Sequence, residues 1–231
     1  MQLQGRGISI EAGLRRFSAA AFHPLGRLLA RFLTPNLITA SSLLASGAVG
    51  WCFAVGRFVL GAWLMLVAGL LDIFDGQVAK LTNRVSVFGA FLDSTVDRVS
   101  DYLYAVGVIY YFIHFRDASG GTAYDLVYLV LAYLFVSQII SYIKARAEAL
   151  GFVCNVGLLA RPLRMLLFGV PLFIYGLKPE LWVLRAPLIA VTALGAETAL
   201  HRFAYVWRQA ARGGGDAAAA DPAVGKEEEA G

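Results

Sequence analysis

The chain has 231 residues, 58% of them hydrophobic and only 16% charged, where a soluble domain carries about a quarter. With a mean hydropathy of +0.65 and a net charge of +4, this excludes an ordinary soluble domain and indicates an all-α polytopic membrane protein. Cys52 and Cys154 are too few, and too deep in apolar sequence, for a disulfide framework, so both read as small buried hydrophobes. No nucleic-acid partner is expected.

Residues 1–33 form the first region. Arg6, Arg15 and Arg16 occur without an apolar core and small-residue cleavage site, so no secretory signal is expected. Ile8, Ile10, Leu14, Phe17, Phe22, Leu25, Leu28 and Leu29 alternate with Glu11, Arg15, Arg16, Arg27 and Arg31. This pattern predicts an amphipathic juxtamembrane segment, broken near His23-Pro24, with its arginines toward anionic membrane lipids. Residues 34–209 form a six-span domain, with apolar stretches near 32–56, 58–71, 91–115, 126–143, 158–177 and 181–207. The tail, 210–231, is polar and low in complexity, and is expected to be disordered and to carry no chemistry.

Alternating the spans across a bilayer puts Arg57, Arg116, Lys178 and Arg185 on one side and the other 16 of the 20 Lys and Arg on the opposite side. The positive-inside rule makes that second side cytoplasmic, together with both termini. The expected location is therefore the cell (inner) membrane, with a polar cavity opening to the cytoplasm.

Four acids stand out in the run DIFDGQVAKLTNRVSVFGAFLDSTVD: Asp72, Asp75, Asp93 and Asp97. Charge in such a segment is costly and calls for a function or a partner. Spacings of three and four residues put each pair on one helical face, with side-chain origins about 5–6 Å apart. Gly76, Ala79 and Gly89 keep the surroundings small. Two antiparallel spans joined by a short link bring both pairs to one depth. A cluster of carboxylates is a hard oxygen site suited to magnesium, calcium or manganese. Near lipid headgroups, such a metal pair suits phosphoryl chemistry, and one carboxylate can serve as general base.

The run resembles the signature of the CDP-alcohol phosphotransferases (CDP-alcohol phosphatidyltransferases), D-x2-D-G-x2-A-R-x8-G-x3-D-x3-D. Asp72, Asp75, Gly76, Ala79, Gly89, Asp93 and Asp97 fall at the matching spacings, and Lys80 replaces the usual Arg. Lys retains the charge but not the bidentate fork. The resemblance implies a six-span, magnesium-dependent enzyme with two ions, manganese being the alternative, that moves the phosphatidyl group of CDP-diacylglycerol to an alcohol and releases CMP. It implies that Asp72, Asp75 and Asp93 hold the metals and that Asp97, beside them in the metal cluster, is the general base. It places the CDP-lipid at Asn36, Gly76, Ala79, Lys80 and Gly89. Thr34-Pro35-Asn36-Leu37-Ile38-Thr39 is similar to the family's segment near the nucleotide, although a proline-started, capped helix accounts for it as well.

The stretch SQIISYIKARAEALG resembles phosphatidylinositol phosphate synthases within that family, a likeness extending over about residues 12–208. It implies inositol 1-phosphate as acceptor, with its phosphate at Lys144, Arg146, Arg164 and Arg202 and Arg161 as a neighbour. The family's E-R-P-E-R becomes Ala160-Arg161-Pro162-Leu163-Arg164, so both acids are absent. Glycerol 3-phosphate is the rival acceptor, and a phosphate-free alcohol would leave the basic cluster without a partner. Ordinary inside-positive anchoring accounts for the same cations. A homodimer is implied by resemblance alone. Ala105, Gly107, Tyr128 and Tyr133 suit a partner surface or a core equally.

Other classes fit less well. A cation transporter wants acids near the midplane on repeated elements, and only one copy of the motif is present. An intramembrane aspartyl protease needs one acid on each of two spans. A lipid-binding scaffold would not need the paired spacing.

Overall fold

The computed structural model describes residues 35–81, 87–114, 123–157 and 159–212, with backbone alone for 35–40 and 70–81. Six helices account for nearly all of these: α1 (Pro35–Ala54), α2 (Phe58–Leu81), α3 (Val87–His114), α4 (Tyr124–Ala149), α5 (Arg161–Leu177) and α6 (Trp182–Ala211). Among the described residues there is no strand. The expected amphipathic segment, 1–33, and tail residues 213–231 lie outside the described residues.

Each apolar stretch is helical, but the ends differ from those expected. α3 starts at Val87 and so takes in Gly89, while α4 continues to Ala149 and carries Lys144 and Arg146 within the helix. Hydropathy marks where apolar sequence stops, whereas backbone hydrogen bonding continues through polar residues of good helix propensity. By length and composition, α4 and α6 are long and apolar enough to cross a membrane, and Ser41–Ala54 and Phe58–Gly69 are shorter apolar stretches. Trp51, Leu44, Phe135, Leu200 and Phe203 are exposed, as expected of surfaces that face apolar surroundings.

The chain divides into two compact units, residues 1–107 and 108–231. In the first, α1 ends in a Schellman arrangement at Gly56, which has φ 78°. The Gly56 N–H donates to the Phe53 carbonyl (3.0 Å) and the Arg57 N–H to the Cys52 carbonyl (2.8 Å). This turn folds α2 back onto α1. Phe53 stacks on Phe58 (5.8 Å), and a side chain at Gly61 would lie 2.6 Å from the Phe53 ring. α1 also meets α3 at backbone distance: a Cβ on Gly107 would lie 2.1 Å from the Gly50 carbonyl oxygen, and one on Gly50 2.5 Å from that of Leu103. Small residues permit such close helix approach in membranes.

In the second unit, α6 packs on α4 and on α5. A Cβ on Gly195 would lie 2.6 Å from Val136, so the α4–α6 contact is close. Leu126, Val130, Ile140, Leu172, Leu184 and Leu188 are buried. Tyr133 stacks on Phe168 at 4.7 Å, with rings nearly parallel at 2°. α4 ends in a second Schellman arrangement, with Gly151 at φ 78° and the Phe152 N–H donating to Ala147 (2.9 Å). Ala160 is extended at the start of α5, whose first turn accepts Pro162 because proline needs no donor there.

Candidate active site

The acid run spans the last turns of α2 and the first three of α3. Asp72, Asp75, Gly76, Ala79 and Lys80 lie on α2, and their side chains, like that of Asn36 on α1, are outside the described residues. On α3, Gly89 is followed by Asp93, which is exposed, and by Asp97 one turn later, which is half-buried. Their neighbours turn back onto the helix: Ser94 Oγ and Thr95 Oγ1 donate to the Phe91 carbonyl (2.9 and 2.8 Å), and Arg98 Nη1 donates to that of Ser94. An oxygen-only pair one turn apart on an accessible face is a donor set that fits a hard divalent ion.

The basic residues are sorted by the second unit into two kinds. Arg164 (4% exposed) and Arg202 (7%) are buried. Arg164 donates from Nε to Ser137 Oγ (2.9 Å), from Nη2 to Ser141 Oγ (3.0 Å) and from Nη1 to the Leu159 carbonyl (3.0 Å). Ser141 in turn donates to the Ser137 carbonyl (3.1 Å), and Tyr133 donates its hydroxyl to the Arg164 carbonyl (3.3 Å). Arg202 donates from Nε to the Val156 carbonyl (2.8 Å) and from Nη1 to that of Ile140 (2.9 Å). Among the described residues, no carboxylate pairs with it. Both guanidinium groups thus rest on the 137–141 stretch of α4, one from α5 and one from α6.

Gly157 makes the Arg202 arrangement possible. At φ 100° it passes so close that a Cβ would lie 2.6 Å from Thr198 and 3.2 Å from Arg202 Nε. Lys144 and Arg146 are placed otherwise. Lys144 is half-exposed and pairs with Glu148 one turn on (3.6 Å), and Arg146 is exposed. Two residues apart on a helix, they point to different sides. Arg161 is half-buried at the first turn of α5.

Ser137, Ser141, Gly157 and the carbonyls of Ile140, Val156 and Leu159 were not evident from sequence. The i, i+4 serines in an apolar helix were the one readable sign. Main-chain acceptors leave no such trace.

A model of the CDP-alcohol phosphatidyltransferase family matches residues 32–201. The archaetidylinositol phosphate synthase of Methanothermobacter thermautotrophicus is 35% identical over 178 residues, covering 77% of this chain and 85% of that protein. The phosphatidylinositol phosphate synthase of Mycobacterium tuberculosis is 35% identical over 191 residues, covering 80% and 84%. A crystal structure of the M. tuberculosis enzyme with CDP-DAG bound has a TM-score of 0.71 at 32% identity, covering 80% of this chain and 92% of that one. Another holds manganese and citrate, with a TM-score of 0.71 at 31% identity and coverage of 80% and 88%. With the matched region taking in the whole acid run and Arg164, this chain belongs to the CDP-alcohol phosphatidyltransferase family.

Proposed function

We propose that this chain transfers the phosphatidyl group of CDP-diacylglycerol to a phosphorylated alcohol, inositol 1-phosphate, giving phosphatidylinositol phosphate and CMP. The observation that carries the reading is the acid run itself, which keeps every acid and glycine of the family signature between Asp72 and Asp97. Asp72, Asp75, Asp93 and Asp97 form the metal cluster, with two magnesium ions as the expected occupants. A relative crystallised with manganese supports a divalent metal. When bound, such ions neutralise diphosphate oxygens.

The chain's own residues do the rest. Asp97 accepts the proton of the attacking hydroxyl, the new P–O bond forms to the acceptor oxygen, and the bond to CMP breaks. Asn36, Gly76, Ala79, Lys80 and Gly89 hold the CDP-lipid. Arg202 and Arg164 bind the acceptor's phosphate, with Lys144, Arg146 and Arg161 adding positive charge around it. A cation whose hydrogen bonds go to neutral oxygens retains its charge for an anionic ligand, and Arg202 is such a group.

The same reading gives six membrane spans in 34–209, an interfacial segment in 1–33 and a polar tail in 210–231. It places both termini and the acid cluster on the cytoplasmic side of the cell membrane, and the enzyme as a homodimer. The distribution of Lys and Arg supports the orientation.

The test supplies purified protein in detergent with CDP-diacylglycerol, magnesium and one of three acceptors. Inositol 1-phosphate should give the fastest CMP release and free inositol the slowest. A preference for glycerol 3-phosphate would overturn the acceptor while keeping the reaction.

A further inference from the structure

One buried polar cluster is not used by the chemistry above. In the first unit Ser46 (2% exposed), Ser100 (3%) and Tyr104 (3%) meet between α1 and α3. Ser46 Oγ lies 2.7 Å from Ser100 Oγ, 3.0 Å from the Tyr104 hydroxyl and 2.8 Å from the Ser42 carbonyl. A single Ser46 proton cannot serve both Ser42 and Ser100, so the cluster is a short chain in which each hydroxyl depends on the orientation of the next. One turn further along both helices is the backbone contact of Gly50 with Leu103 and Gly107.

Two facts give this cluster its consequence. On α3, Asp97, Ser100 and Tyr104 follow at i, i+3 and i+7, a single stripe. The paired positions rise together on α1 and α3, so the helices run parallel, and the rise of 1.5 Å per residue sets Ser42 about level with Asp97. Apolar surroundings provide little force to fix such a register, because sliding one apolar helix along another loses little. Three buried hydroxyls do provide it. A slip of one residue turns Ser46 away from Ser100 and Tyr104 and breaks both hydroxyl–hydroxyl contacts in a buried interface.

We propose that Ser46, Ser100 and Tyr104 are positioning residues for the phosphatidyl transfer: they hold α1, which begins with the CDP-lipid segment, in register with the acids of α3. The proposal rests on the assignment of Asn36 to the CDP-lipid and Asp97 to the base. Its effect is on alignment of the bound nucleotide with the acids, and misplacement on the order of 1 Å suffices to slow a reaction strongly.

Tyr104→Phe keeps the ring and removes one hydroxyl, and Ser46→Ala removes the central one. For both variants in detergent, kcat/KM for CDP-diacylglycerol should fall about tenfold, with a raised KM for that lipid. The KM for the phosphorylated acceptor should stay within about twofold of wild type. The double variant should be no slower than Ser46→Ala, because the hydroxyls act as one chain. Loss of folded enzyme lowers the apparent kcat but moves neither KM. Unchanged KM values in both variants would therefore overturn the proposal, whether or not the melting temperature falls. Asp97→Asn, assayed beside them, keeps the two readings apart. If it still releases CMP, the base assignment fails. If it is dead while Ser46→Ala and Tyr104→Phe have wild-type KM values, only the positioning role fails.

Discussion

The two units bury polar groups in opposite ways. Between α1 and α3, Ser46, Ser100 and Tyr104 satisfy one another in a neutral network. Among α4, α5 and α6, two guanidinium groups are buried against Ser137, Ser141 and main-chain carbonyls. A neutral network has directionality but no charge to offer, so it fixes helix register. Cations held this way are fixed in place, and Arg202, whose hydrogen bonds go to carbonyls, still presents positive charge. The first arrangement suits alignment, and the second suits recognition of an anion.

This difference is broken most severely at the arginines. Arg202→Gln and Arg164→Gln should each raise the KM for a phosphorylated acceptor by about ten- to a hundredfold, because hydrogen bonds to charged groups contribute about 1.5–3 kcal/mol. The KM for CDP-diacylglycerol should change much less, and equal effects on both substrates would remove the anion-recognition role. Arg164→Gln should also lower the melting temperature more, since it removes the donor that Ser137 Oγ, Ser141 Oγ and the Leu159 carbonyl share.

Gly157→Ala comes next. Its Cβ would press on Thr198 and Arg202 from a backbone at φ 100°, so a destabilisation of about 1–3 kcal/mol is expected, with a raised acceptor KM. A variant with unchanged melting and kinetics would mean that the loop is not tied to Arg202.

Ser137→Ala removes a single acceptor from Arg164 and should cost about 1–2 kcal/mol in stability, with a severalfold rise in acceptor KM. The smallest effect is expected at Lys144. Its exposed pair with Glu148 contributes about 0.3–0.5 kcal/mol, so Lys144→Gln should leave melting unchanged and alter only the salt dependence of acceptor binding.

The ease of reading the sequence also differed between the two regions. Asp72 to Asp97 form one linear run, so helical periodicity alone paired the acids, and the helices follow from long apolar stretches. Arg164 and Arg202 stood in the sequence as cations that the resemblance groups with Lys144 and Arg146 around the acceptor phosphate. What separates them from Lys144 and Arg146 is burial, set by the register of α5 and α6 on α4 and by a loop whose carbonyls do the holding. Ser46 lies 54 and 58 residues from Ser100 and Tyr104 along the chain, and they meet only through the packing of α1 on α3. The helix ends were misplaced because polar residues such as Lys144 end an apolar stretch without ending a helix.

The central claim is that the acid run performs phosphatidyl transfer with Asp97 as base. The most direct test measures CMP release from CDP-diacylglycerol, with magnesium and inositol 1-phosphate, for wild type and Asp97→Asn at equal folded concentration. We expect release by the wild-type enzyme and a loss of at least about a thousandfold in the variant, near the upper part of the range for removing a general base. Release by Asp97→Asn at the wild-type rate would contradict the account.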